Sequence, residues 1–195
     1  MPFCFAAKET MNRNKKHIFL NGFMGAGKSR IGPLLAKELD CPFFDTDKII
    51  EQHSNKKIHE IFEQEGEMVF RKREQAVLAQ LAGQESKSVI AVGGGALVNQ
   101  ENKNIAEKSG VIVYIKSSPD AIFERVKHTS RRPLLNVDRD ENFESNLKKR
   151  ITELLASRKE IYEDADIIID RDGLEADQVC QKILERLKEK DNAYN

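Results

Sequence analysis

Residues Gly22-Phe23-Met24-Gly25-Ala26-Gly27-Lys28-Ser29 set two glycines around four residues and follow them with Lys and Ser. The spacing suits phosphate. Glycines let backbone N–H groups curl around phosphate oxygens, Lys28 adds a mobile positive charge, and Ser29 offers an oxygen to Mg²⁺. The expected ligand is a nucleoside triphosphate. The apolar run His17-Ile18-Phe19-Leu20 reads as a buried strand entering this loop, and Ile31, Leu34, Leu35 and Leu39 recur at helical spacing after it. A helix N-terminus there would aim roughly half a positive charge at the bound anion. Arg30 stands where a second small hydroxyl residue often sits, and Pro33, more than a turn into the helix, predicts a slight kink.

Three further groups fall just after predicted strands or on charged helices. Asp45-Thr46-Asp47 follows the second strand, and in an extended segment side chains two apart share a face, so both carboxylates could serve one cavity. Asp47 could equally cap a helix starting at Lys48. Gly93-Gly94-Gly95 follows the third strand, where many phosphate-loop ATPases carry a carboxylate; a close backbone approach to a second ligand, or a plain tight turn, would explain it. Arg71 has Glu67 and Gln75 at four-residue spacing, and Arg158 lies near Glu153 and Glu160, patterns that a solvated, salt-bridged helix face also produces. Arg131 and Arg132 precede Pro133 in a polar stretch suited to bringing a cation onto a transferred phosphate. His17, His53, His59 and His128 make no ligand pattern and read as surface or packing residues.

Runs at 17–20, 42–45, 89–92, 111–115 and 166–170 alternate with helical patterns. That alternation predicts an α/β three-layer sandwich, with a central five-stranded parallel sheet covered by helices on both faces. Ligands of such sheets sit beyond the carboxyl ends of the strands, where the candidates above lie. Residues 48–66 and 129–142 look like mobile flaps, and the last helix, with Leu174, Val179, Ile183, Leu184 and Leu187, reads as packing.

With 195 residues and 39% apolar content, one domain over about 15–190 is expected. Lys plus Arg and Asp plus Glu each total 32, so no long-range field for nucleic acid or an acidic membrane is expected. Cys4, Cys41 and Cys180 lack metal-ligand spacing and are odd in number, which predicts a reduced, cytoplasmic protein. No apolar run reaches spanning length, and Pro2 to Ala7 is too short, and lacks the basic leader, for a signal peptide. Residues 1–14 read as a disordered lead-in, with Met11 an alternative start.

In order and spacing from about residue 17 to 170, these elements resemble the shikimate kinase family: the Gly22–Ser29 loop, Asp45-Thr46-Asp47, Phe70-Arg71, Gly93–Gly95, Arg132-Pro133-Leu134-Leu135, and Arg158 with Tyr162. The resemblance implies a P-loop kinase of the nucleoside-monophosphate-kinase type that transfers the γ-phosphoryl of ATP to the 3-hydroxyl of shikimate. It implies that Gly25, Ala26, Gly27, Lys28, Ser29 and Arg30 hold the phosphates, with Ser29 and Asp45 on Mg²⁺. Asp47 would bind the shikimate hydroxyls and act as base, while Arg71 and Arg158 grip its carboxylate beside Gly93, Gly94 and Gly95. Arg125 would stack on adenine, and Arg132 would reach phosphate from a lid at about 126–142. Residues 48–75 would form the substrate-binding segment. The implied protein works as a monomer on small molecules, with no nucleic-acid or membrane partner. Arg30, and Lys159-Glu160 where a proline often precedes Ile161-Tyr162, depart from the family pattern.

A kinase of another sugar acid such as gluconate would share the loop and fold, but need not keep the paired aspartates, the triple glycine and both arginines. A regulatory GTPase needs an Asn-Lys-x-Asp signature, which is absent. A non-catalytic binding relative would be expected to have lost Lys28 or Asp47, and both are present.

Overall fold

The computed structural model describes residues 16–128, 133–135, 137–138 and 140–193. Its strands are β1 (His17–Asn21), β2 (Phe43–Asp45), β3 (Val89–Ala91), β4 (Gly110–Lys116) and β5 (Ile167–Asp170). The described helices are α1 (Lys28–Glu38), α2 (Thr46–Ser54), α3 (Ile58–Glu65), α4 (Glu67–Ala82), α5 (Gln100–Ser109), α6 (Pro119–Val126), α7 (Phe143–Glu163) and α8 (Ala176–Ala193). The strands pair in the order β2-β3-β1-β4-β5, all parallel, with Ile18 aligned to Val89 on one side and Val111 on the other.

Period-two alternation sends β1 side chains to two cores. Ile18 and Leu20 join Val113, Ile115, Ile31, Leu35, Val179 and Ile183 on the face covered by α1 and α8. Phe19 joins Ile90, Ile112, Val77, Leu78 and Ala106 on the face covered by α4 and α5. Burying a side chain such as Phe19 contributes about 1.5–3 kcal/mol, so a one-residue register slip would remove both cores at once. A third cluster, Phe23, Tyr114, Ile122, Phe123, Ile151 and Tyr162, ties α6 and α7 to the loop after β1.

The predicted sheet stands, with strand ends displaced by about a residue. Residues 48–66, read as a flap, are largely helical. They form most of α2 and all of α3, which Glu60 opens by accepting a hydrogen bond from the Lys57 N–H. Pro33 lies inside α1 without ending it. Leu174 precedes α8 rather than belonging to it, yet packs against the same core. Residues 1–14 lie outside the described residues, as do Arg131, Arg132 and part of 126–142; Pro133–Leu135 form a single 3-10 turn. Among the described residues, no helix is long and apolar enough to cross a membrane.

Chain order and strand order together locate the ligand crevice. The chain leaves β1 toward β3 and β2, and leaves β4 toward β5. Such a reversal opens a gap at the carboxyl ends of β1 and β4, where the glycine-rich loop lies.

Candidate active site

The loop ends at Gly27, the residue before α1, with φ 96° and no side-chain cap on the helix. That left-handed conformation suits glycine, no side chain caps the helix, and the positive end of its dipole favours an anion. Lys28 folds back, donating from Nζ to the Gly22 carbonyl at 2.5 Å and the Phe23 carbonyl at 3.3 Å.

Across from Lys28, the Ser29 hydroxyl donates to Asp45 Oδ2 at 2.7 Å, joining the start of α1 to the end of β2. One hydroxyl and one carboxylate side by side are the hard oxygen donors a Mg²⁺-sized cation takes, its other positions being filled by phosphate and water. The residues present therefore fit the metal. Asp45 also caps α2, its Oδ1 accepting from the N–H groups of Asp47 (3.2 Å) and Lys48 (3.4 Å). The capping role considered for Asp47 thus belongs to Asp45, and Asp47 sits in the first turn of α2. The extended geometry invoked for the pair does not hold either, because the helix begins at Thr46. Both carboxylates still line one cavity of about 380 Å³.

The triple glycine is the wall of that cavity. Thr46 Oγ1 accepts from the Gly93 N–H at 3.1 Å, pinning the wall to α2. A Cβ on Gly93 would collide with Glu74 Oε1 and stand 3.0 Å from Asp47 Oδ1, so only glycine leaves the carboxyl groups in place. The Gly94 carbonyl accepts from Arg158 Nη1 at 3.2 Å and from the Tyr162 hydroxyl. At Gly95, a Cβ would lie 3.2 Å from Arg71 Nη2 and 3.5 Å from Arg158 Nη2. Two guanidinium groups, carried on α4 and α7, therefore converge on one point beside Asp47.

Neither arginine matches a merely solvated face. Arg158 is 8% exposed. Arg71 is held by two carboxylates, donating from Nε (3.2 Å) and Nη2 (3.0 Å) to Glu67 Oε1 and from Nη1 to Glu74 Oε2 at 2.7 Å. The i,i+4 bridge to Glu67 anticipated from spacing is present, whereas Gln75 turns away to Glu101. Burial works against the Arg71 charge, but Glu74 and Glu67 together outweigh it and hold the guanidinium above its ordinary range. Glu74 is 1% exposed, and burial pushes its carboxyl up, an effect Arg71 only partly offsets. Behind Arg158, Tyr162 stacks on Tyr114 with ring centroids 5.0 Å apart, and burial first, then Tyr162, pushes the Tyr114 phenol up to about 12.

On the far side of the loop, Arg125 of α6 donates from Nη1 to Ser117 Oγ at 3.1 Å and to the Gly25 carbonyl at 3.4 Å. Ala26 is buried beneath the loop, and Arg30 is exposed one turn into α1. Arg132 lies outside the described residues. His59, read as a surface or packing residue, lines the cavity, and His17 is buried against Ser88 Oγ at 2.8 Å.

Two residues escaped the sequence reading. Glu74 is one helical turn beyond Arg71, a spacing that was available, but only burial separates it from an exposed glutamate. Arg171 is the first residue after β5, at the strand end where ligand contacts are expected, and its guanidinium packs against Gly27.

A sequence model of the family described as shikimate kinase matches residues 24–188. A shikimate kinase of Thermodesulfovibrio yellowstonii is 41% identical over 177 residues, covering 91% of this chain and 98% of the relative. A shikimate kinase of Chlorobium phaeobacteroides is 40% identical over 171 residues, covering 85% of each chain. The solved structure of shikimate kinase from Acinetobacter baumannii in complex with shikimate aligns with a TM-score of 0.83 at 33% identity, covering 94% of this chain and 98% of that one.

Proposed function

This chain belongs to the shikimate kinase family, and from that membership we propose how its own residues carry ATP-dependent phosphorylation of the shikimate 3-hydroxyl, giving shikimate 3-phosphate and ADP. The observation that carries the proposal is the convergence of Arg71 and Arg158 at Gly95, next to Asp47 and across the cavity from the Ser29–Asp45 pair. A planar carboxylate suits two guanidinium forks, and a clamp at one end of a small acid fixes where its hydroxyl points.

In this reading Asp47 binds the shikimate hydroxyls and takes the proton from the 3-hydroxyl as that oxygen bonds to the γ-phosphorus. The bond from that phosphorus to the ADP oxygen breaks. Gly25, Ala26, Gly27 and Arg30 hold the non-transferred phosphates, Lys28 neutralises charge on the transferred group, and Arg125 stacks on adenine. Ser29 and Asp45 would hold Mg²⁺, which would supply positive charge to offset that of the phosphate oxygens. Arg132 comes onto the transferred phosphate from the segment at about 126–142. Residues 48–75 form the substrate segment: Arg71 and Glu74 lie within it, and Gly93, Gly94 and Gly95 back it. The reading takes the enzyme as a cytoplasmic monomer.

A coupled ADP-release assay with shikimate, quinate and gluconate side by side tests the proposal. Shikimate is expected to give a kcat/KM at least about a hundredfold above gluconate, because an acid of different shape cannot place carboxylate and hydroxyl together. Comparable turnover of gluconate would overturn it.

A further inference from the structure

Arg171 carries a charge that the protein itself leaves uncompensated. Its backbone N–H donates to the Lys116 carbonyl at 2.9 Å, locking the residue at the junction of β4 and β5. A Cβ on Gly27 would stand 2.8 Å from Arg171 Cζ, 3.0 Å from Nη1 and 3.1 Å from Nε. The guanidinium is thus pressed flat on the last glycine of the phosphate loop. The residue is 7% exposed, and both Nε and Nη1 are buried without a hydrogen-bond partner.

Its charged neighbours make matters worse. Burial, then Arg125, then Arg30 all push the guanidinium below its ordinary range, and Glu175 and Asp172 return only part of that. Burying an unpaired cation is among the least favourable things a fold can do. Side chains that break the local rules in this way concentrate at sites where a ligand completes them.

We propose that Arg171 is a further nucleotide-binding residue, which with Arg30, and beside Arg125, takes a phosphate common to ATP and ADP at the Gly27 end of the loop. The inference rests on reading the loop as the nucleotide site. Two observations favour a phosphate at this place. Arg171 adjoins the uncapped N-terminus of α1, the positive end of the helix dipole. Arg125, the cation that acts on it most strongly, contacts the loop at Gly25. A contact made equally to ATP and ADP is uniform binding, so its loss falls on KM for ATP and on ADP affinity by the same factor rather than on kcat.

The test titrates ADP calorimetrically into the full chain as wild type, Arg171→Met and Arg171→Lys, with melting curves of each nucleotide-free protein. Arg171→Met is expected to weaken ADP roughly tenfold or more, from lost charge-assisted hydrogen bonds. It should raise the ATP KM by a matching factor, leave the shikimate KM in place, and raise the nucleotide-free melting temperature because an unpaired buried cation is gone. Arg171→Lys keeps the charge but loses the fork, so its ADP affinity should fall between the two. ADP affinity within twofold of wild type in either variant would overturn the inference, and so would a joint loss of ADP affinity, shikimate affinity and melting temperature, the mark of a structural role. Should Arg171→Met fail to fold, Arg171→Lys decides alone. A wild-type chain that does not bind ADP would remove the nucleotide-site reading, and this inference with it; tight wild-type binding unchanged by substitution removes the inference only.

Discussion

As proposed, the two ends of the cleft hold an anion in opposite ways. At the acid end the cations are partnered before any ligand arrives: Arg71 by Glu67 and Glu74, Arg158 by the Gly94 carbonyl. At the nucleotide end Arg171 has two buried donors without a partner and two other guanidinium groups as neighbours. The acid end is preassembled, with its forks oriented by side chains on α4 and α7. The nucleotide end is under-compensated, and a polyphosphate would supply what it lacks. Preorganisation favours precise placement of a small substrate, whereas uncompensated charge favours strong attraction for a highly charged one.

Lys28→Ala should separate the two ends most sharply. Its ammonium rests on the Gly22 and Phe23 carbonyls in a loop shaped for phosphate, so its removal takes away charge that matters most as the phosphoryl group moves. The expected loss in kcat is roughly 10²–10³-fold, with the shikimate KM changed far less. Steady-state kinetics with both substrates varied would show it. A kcat near wild type would mean that the loop does not serve the transferred group.

Arg158→Ala and Arg71→Ala should show the reverse split. In the proposed clamp each would touch a part of the substrate that does not react, so each is expected to raise the shikimate KM roughly tenfold or more while leaving most of kcat. Arg158→Ala should be the more damaging to stability, since it also leaves the Gly94 carbonyl with only the Tyr162 hydroxyl. An unchanged shikimate KM in both variants would abolish the clamp and with it the contrast between the ends.

How much of this was legible in the sequence follows the range of the interactions involved. The phosphate loop and the five strands are local patterns, set by glycine spacing and by apolar runs such as Val111 to Ile115, and they reappear almost residue for residue. Asp45 and Asp47 were placed in the right cavity for an incorrect local reason, because a cap can sit at either residue and only the fold decides which. Arg71 and Arg158 look alike on their helices as sequence. What separates both from ordinary salt-bridged arginines is a meeting at Gly95, across chain separations no periodicity reaches. Glu74 and Arg171 were missed for the same reason: burial of a charged side chain leaves no mark in spacing.

Glu74 also shows what preassembly costs, and it yields the smallest of these effects. Its carboxyl is buried beside Asp47 and the Gly93 wall, and burial outweighs the stabilisation of its charge by Arg71 and, less, by Arg158, raising it from its ordinary 4.5. A raised carboxyl means that the fold prefers the protonated form. That preference is fully present below pH 4.5 and is lost as pH rises through the elevated value, where the fold must bury a carboxylate. Glu74→Gln is neutral at every pH and so removes the dependence. The melting temperature of wild type relative to Glu74→Gln should therefore be higher at pH 5 than at pH 8, by about one to a few degrees. A gap that instead widens in favour of wild type as pH rises would show that Arg71 more than repays the burial, making the acid end electrostatically self-sufficient and the contrast with Arg171 sharper still.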